Sequence, residues 1–239
     1  MKYIKIGESK NFIVFLHGWA ADKNSFFWLT NYFFDHTLLF VDFAGFGDSD
    51  EPDVPWTVSD YVNDLKSLID KFEIESLVLV GHSFGGRVAI KFSYLYQNDF
   101  KQFKLCLVDS AGVKPRRNLI YYYKVWKYKL VKKIAKRFKN YEKTISKYGS
   151  NDYKKLSLIM KQTFVNVVNE DLLPIAKFIK SPTIIVWGEK DFETKIYMAK
   201  KLKKVIADSK LFIIKGAGHF SFLDNCQEFL IILDTFIKN

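Results

Sequence analysis

The segment that most restricts what this chain can fold into is Leu77-Val-Leu-Val-Gly-His-Ser-Phe-Gly-Gly86. A short apolar run of strand character enters Gly81-His82-Ser83-Phe84-Gly85, and a helix-period pattern follows. A strand that turns into a helix around one serine needs a tight, strained bend, with the Ser83 hydroxyl projecting above the sheet. Such a bend crowds the residues two before and two after the serine, and both are glycine. Gly86 lets the following helix approach the sheet. A glycine-rich turn with an incidental serine shares the five-residue pattern but does not require this strand and helix around it.

Strand-length apolar runs recur at Phe12–Leu16, Leu38–Asp42, Leu77–Val80, Lys104–Val108, Thr183–Trp187 and Leu211–Ile214. Several are continuously apolar, as expected of a parallel sheet covered on both faces. Helix-period segments alternate with them: Thr57–Phe72, Phe84–Tyr96, Phe192–Val205 and Gln227–Ile237. The alternation predicts an α/β fold with a mostly parallel sheet and helices on both faces. It breaks between Gly112 and Ser181, where the pattern is helical and Pro115 and Pro182 punctuate the ends. The expected organisation is a core of residues 1–112 and 181–239 carrying a helical cap insertion, 113–180.

At 239 residues, 49% of them hydrophobic, the chain can bury one large core without disulfides. Cys106 and Cys226 lie far apart and form neither a disulfide framework nor a zinc motif. The first apolar run is too short for a signal sequence or a membrane span, so the expected location is cytoplasmic. The net charge of +11 is concentrated. Residues 113–148 hold thirteen Lys or Arg against one acid, Glu142, while the remainder holds 24 against 25. This is a near-neutral body with a basic insert.

A serine hydroxyl needs an adjacent base to attack at neutral pH. Of four histidines, His219 lies in Gly216-Ala-Gly-His-Phe220, directly after the last predicted strand. That places it on the rim where the carboxyl ends of the strands, and Ser83, are expected. His82 adjoins the serine, but the turn is expected to aim its side chain elsewhere. His17 is expected to serve the loop it begins, and His36 to sit in an exposed turn. Asp191, just past Ile184-Ile-Val-Trp-Gly-Glu-Lys, is the favoured partner for His219, with Asp109 and Glu189 as competitors. The backbone N–H groups of Trp19 and Phe84 are the expected oxyanion donors: Phe84 opens the helix after the serine, and Trp19 follows His17-Gly18 after the strand Phe12–Leu16.

With these pieces in place the chain resembles the α/β-hydrolase family, specifically its small cap-bearing serine hydrolases. The resemblance runs from His17-Gly18-Trp19 through Asp42-Phe-Ala-Gly-Phe-Gly-Asp-Ser49 and Gly81–Gly86 to Trp187-Gly-Glu-Lys-Asp191 and Gly218-His219-Phe220, in family order. It implies a structural role for the Asp42–Ser49 turn. It also implies a catalytic Ser83–His219–Asp191 set that needs no metal or organic cofactor. Relatives resembling haloalkane dehalogenases and epoxide hydrolases carry Asp at the position of Ser83, and carbon–carbon bond hydrolases often carry Asn at that of His82. The implied substrate is a small carboxylic ester or thioester with an apolar acyl part. Two alternatives stay open. One is a non-hydrolytic or C–C-bond-cleaving enzyme with the same triad, and the other is a non-catalytic ligand-binding protein.

Residues 121–138 read as one amphipathic helix, with Trp126, Leu130, Ile134 and Phe138 as an apolar ridge and Lys129, Lys132, Lys133, Lys136 and Arg137 crowding the rest. Three readings compete: a cap helix with a solvated basic face, contact with an anionic membrane surface, and attraction of anionic substrates. Nucleic-acid binding is not indicated, because the aromatics fall at core spacing and no recognition motif is present.

Overall fold

The computed structural model describes residues 1–116, 123, 126, 127, 130, 131 and 155–239. Seven strands form one sheet: β1 (Lys2–Ile6), β2 (Asn11–Leu16), β3 (Thr37–Asp42), β4 (Ser76–His82), β5 (Gln102–Val108), β6 (Thr183–Gly188) and β7 (Ser209–Ile214). Their order is β1-β3-β2-β4-β5-β6-β7, and all neighbours are parallel except β1, which pairs antiparallel with β3. The edge strand β1 has no counterpart among the sequence-predicted strands. Lys2-Tyr-Ile-Lys-Ile6 is short, alternating and largely exposed, so it lacks the continuous apolar run that marks strands buried on both faces.

The central strands are apolar throughout because alternate side chains serve two cores. Val14 and Leu16 of β2, with Leu77 and Leu79 of β4, enter one cluster; Ile13, Phe15, Val78 and Val80 enter the other. Helices α1 (Val58–Ile69) and α2 (Phe84–Tyr96) cover the first face through Tyr61, Leu65, Val88 and Phe92. Thr57 and Asp60 start α1 as a reciprocal capping box, in which the Thr57 N–H donates to Asp60 over 2.7 Å. The second face is covered by the 3₁₀ segment Lys23–Asn31 and by the C-terminal helix Cys226–Lys238, through Phe26, Leu29, Phe229 and Leu233.

Between β5 and β6 the described residues hold two further helices, α3 (Leu158–Asn169) and α4 (Leu173–Ala176), and no strand. Ser157 caps α3 by accepting from the Met160 N–H. Helix α3 docks over the loop that follows β3: Trp56 N–H donates to Thr163 Oγ1 over 2.9 Å, and Asn166 Nδ2 donates to the Trp56 carbonyl over 3.1 Å. Met160, Val167 and Leu172 are buried in the first core. Of the predicted basic helix, Trp126 and Leu130 are exposed. Ile134, Phe138, Lys129, Lys132, Lys133, Lys136 and Arg137 lie outside the described residues. Among the described residues, no helix is long and apolar enough to cross a membrane.

Candidate active site

The loops that leave the carboxyl ends of β2, β4, β5, β6 and β7 converge on one rim of the sheet, and Ser83 stands at its centre between β4 and α2. Its backbone is strained as the sequence predicts, at φ 50° and ψ −110°. Three hydrogen bonds hold it there: Ser83 N–H donates to the Val108 carbonyl (3.0 Å), and the N–H groups of Ala111 (2.9 Å) and Arg87 (3.3 Å) donate to the Ser83 carbonyl. The flanking glycines are sterically required. A Cβ on Gly81 would lie 2.6 Å from the Gly85 carbonyl oxygen, and one on Gly85 would lie 2.2 Å from that of Leu16. Both clashes are with backbone. Gly85→Ala should therefore lower stability by about 1–3 kcal/mol or more, read as a fall in the urea midpoint. An unchanged midpoint would mean that α2 does not approach β2 this closely.

Ser83, His219 and Asp191 form one chain of hydrogen bonds. Ser83 Oγ lies 3.0 Å from His219 Nε2, and His219 Nδ1 lies 2.8 Å from Asp191 Oδ2. Because the carboxylate only accepts, Nδ1 carries the proton and the Nε2 lone pair faces the serine hydroxyl. Asp191 is 5% exposed and is fixed by its own turn: Oδ1 accepts from the backbone N–H groups of Glu193 (2.8 Å) and Thr194 (2.9 Å). Thr194 Oγ1 stands 2.6 Å from Oδ2 and 3.3 Å from His219 Nδ1. Burial raises the Asp191 pKa, but the hydrogen bonds from His219 and Thr194 outweigh it and hold the carboxyl below its ordinary value. Burial pulls the His219 pKa down, yet the hydrogen bond and charge of Asp191, helped by Glu193 and Asp109, leave it above the usual imidazole value. This predicted helix begins at Ile196 rather than Phe192, because residues 191–194 are used in the turn around the Asp191 carboxylate.

The other acids and histidines fall into different places. Asp109 is fully buried and bonded to Gly188 and Ser221 rather than to an imidazole. Glu189 accepts from the exposed Gly216 N–H. His82 corrects the expectation that its side chain turns away. Its ring packs 5.0 Å from that of His219, and its Nε2–H donates to the His219 carbonyl over 2.8 Å. That β4 side chain lies beneath the His219 loop because strand alternation sends it to the face opposite α2. Burial pushes its pKa down to about 3, so it places no second cation beside His219. His17 Nδ1–H donates to the Gly18 carbonyl (2.7 Å), while Nε2 accepts from the Phe43 N–H (3.1 Å), tying the loop after β2 to the end of β3. His36 is half-buried rather than exposed, and burial lowers its pKa.

Trp19 and Phe84 border the same cavity as Ser83. Neither of their backbone N–H groups has a hydrogen-bond partner among the described residues. Phe84 N–H is at the first position of α2, where the helix leaves donors free. The cavity measures about 420 Å³ and is lined by Ser83 and His219. Leu156, Phe164, Val167 and Val168 supply apolar walls from the segment between β5 and β6, and Trp19 and Phe220 add aromatic ones. Among the described residues, Arg87 and Glu193 are its charged members. Among the described residues, no three His, Cys, Asp or Glu side chains are grouped to hold a metal ion.

Glu193 and Thr194 were missed in the sequence-based site, and both belong to the Asp191 turn. The Glu193 carboxylate lies 3.5 Å from His219 Nε2 and is well exposed. An imidazole base works only when neutral, so a rate that depended on His219 in that role would rise as pH climbs through its pKa. Removing a neighbouring negative charge lowers that pKa. Glu193→Gln should therefore move the acid limb of the pH–rate profile to lower pH. The plateau rate should stay within about fivefold, since an exposed ion pair contributes about 0.2–1 kcal/mol. An acid limb that stays in place would show that Glu193 does not act on the imidazole.

Comparison with known proteins adds three findings. A sequence model described as the alpha/beta hydrolase family matches residues 13–230. The chain is 28% identical over 246 residues to the AB hydrolase superfamily protein YisY of Bacillus subtilis, covering 94% of this chain and 90% of the relative. It is 27% identical over 265 residues to the pimeloyl-[acyl-carrier protein] methyl ester esterase of Wigglesworthia glossinidia brevipalpis, covering 98% and 96%. Among solved structures, an esterase from Exiguobacterium antarcticum superposes with a TM-score of 0.75 at 23% identity, covering 99% of this chain and 95% of that one.

Proposed function

The chain belongs to the alpha/beta hydrolase family, and from that premise we propose that it is a serine hydrolase cleaving a carboxylic ester or thioester through an acyl-enzyme. Ser83 is the nucleophile, His219 the general base, and Asp191 the carboxylate that orients the imidazole and stabilises its charged form. The observation that carries this reading is the hydrogen-bonded series from Ser83 Oγ through His219 to Asp191, whose first two members line the cavity.

The chemistry follows from the geometry. Ser83 Oγ attacks the acyl carbon as its proton passes to His219 Nε2, and the carbonyl oxygen becomes an oxyanion. The N–H groups of Trp19 and Phe84, unpartnered among the described residues, receive it. When the intermediate collapses, the same proton goes from Nε2 to the leaving oxygen or sulfur, and the acyl group stays on Ser83. Water then repeats the attack, again giving its proton to Nε2, and the carboxylic acid departs as Ser83 recovers its hydrogen. In this reading residues 1–112 and 181–239 form the catalytic core. The insertion, 113–180, supplies the apolar wall for the acyl chain through Leu156, Phe164, Val167 and Val168. The named esterase relative, which acts on a methyl ester of a carrier-bound acyl chain, supports an ester with an apolar acyl part.

The test pairs a fluorophosphonate probe, read by intact-mass spectrometry, with p-nitrophenyl esters of increasing chain length. A single adduct on Ser83 with turnover that varies with acyl length is expected. A well-folded protein that takes no adduct and turns over no ester would refute the reading and favour a binding protein.

A further inference from the structure

Asp109 is a fully buried, hydrogen-bonded carboxylate that the proposed chemistry does not use. It directly follows β5 at φ 42°, a left-handed conformation that a non-glycine residue adopts only when held there. Its N–H donates to the Val186 carbonyl over 3.0 Å. Oδ1 accepts from the Gly188 N–H at 2.7 Å. Oδ2 accepts from the Ser221 N–H at 3.0 Å and the Ser221 hydroxyl at 2.6 Å. Its carbonyl oxygen lies 2.9 Å from Thr194 Oγ1, the hydroxyl that also meets Asp191.

Gly188 lies three residues before Asp191, Ser221 two residues after His219, and Thr194 three residues after Asp191. One side chain therefore grips the loops that present both the base and its acid. We propose that Asp109 is a positioning residue of the active site, a buried carboxylate clasp that sets the place of His219 relative to Ser83 and adds negative charge behind the imidazole. The inference rests on the proposed Ser83–His219–Asp191 chemistry.

Two N–H groups and one hydroxyl face the carboxylate, an arrangement that favours its ionised form. Burial pushes the Asp109 pKa up to about 7, with Asp191 adding repulsion and the three hydrogen bonds working against that rise. The charge reaches His219 through the protein as one of the influences that raise the imidazole pKa. Among the described residues, the other charged or titratable groups facing His219 are Asp191 at Nδ1, Glu193 near Nε2 and the neutral His82 ring beneath it. An amide at position 109 would keep one acceptor oxygen and turn an NH₂ toward donors on the other side. A shift of about 1 Å in the His219 loop is enough to cost about 10²-fold in rate.

The experiment compares wild type with Asp109→Asn and Ser221→Ala. It measures kcat and KM on a p-nitrophenyl ester, and separately the titration of the His219 ring by ¹³C-edited NMR, assigned with His219→Gln. Asp109→Asn should lower kcat by about 10²-fold with KM little changed, and the His219 pKa should fall. Ser221→Ala keeps the Asp109 charge and removes one donor, so kcat should drop several-fold while the His219 pKa moves less. A folded Asp109→Asn protein with wild-type kcat and an unmoved His219 titration overturns the proposal. If Asp109→Asn does not fold, Ser221→Ala decides, and unchanged kcat and titration in that variant overturn it. The NMR arm needs no substrate. A wild type inert toward esters would therefore defeat the proposed function, while the clasp would still be judged by the His219 titration.

Discussion

Ser83→Ala will lower kcat by about 10⁶-fold, leave KM little changed, and remove the fluorophosphonate adduct. The size follows from the proposed role of the hydroxyl oxygen as the atom that becomes bonded to the acyl group. Without it no acyl-enzyme forms, and what remains is the catalysis that oxyanion donors and binding alone provide, about 10³–10⁴ over water. The fold should survive. The bonds that hold residue 83 in its strained conformation come from its backbone N–H and carbonyl, and alanine makes both. Circular dichroism and a urea melt on the variant separate loss of the nucleophile from loss of structure. A folded Ser83→Ala protein that keeps most of its esterase rate would place the nucleophile elsewhere.

Asp191→Asn should cost about 10⁴-fold in kcat. The Asp191 side chain uses its two oxygens differently: Oδ1 accepts from the Glu193 and Thr194 N–H groups, and Oδ2 accepts from His219 Nδ1–H. An asparagine will keep its oxygen on the two backbone donors, because an NH₂ there would face N–H against N–H. Its NH₂ is then left toward His219 and can only donate, so Nδ1 must become the acceptor and the imidazole proton moves to Nε2. That nitrogen then points a hydrogen at Ser83 Oγ and cannot take another while neutral. The imidazole also loses the charge that raises its pKa. Fluorophosphonate labelling should slow in parallel with kcat, since both need the same proton transfer. If Asp109→Asn proved crippling and Asp191→Asn mild, the acid would have to be reassigned.

Most of the fold was legible because six of the seven strands announce themselves by strand-length, mainly apolar runs, and the observed strands extend those runs by only one or two residues at an end. Lys2–Ile6 escaped because an exposed edge strand needs only one buried face, and its alternating lysines resemble a polar leader. The serine and His219 were legible from strand-end position and from glycines that the bend demands. Thr194 and Glu193 were not, because their contribution depends on how the chain curls around the Asp191 carboxylate. The closest available signal was an Asp with a hydroxyl residue three places on, a pattern that turns often use. Asp109 was visible as an acid at a strand end, but its partners Gly188 and Ser221 are 79 and 112 residues away, and only the sheet order brings them together.

The left-handed backbone at Ser83 also sets evolution a choice between robustness and activity. A non-glycine residue held in such a conformation costs about 1–3 kcal/mol. Glycine adopts it freely, and no hydrogen bond that anchors this bend involves the side chain except the one to His219. Ser83→Gly therefore removes both the strain and the reactive oxygen. A laboratory lineage selected for heat resistance alone has a downhill route through that substitution. The same protein would then survive as a sturdier shell around an empty cleft, and only selection that also demands turnover keeps the hydroxyl in place.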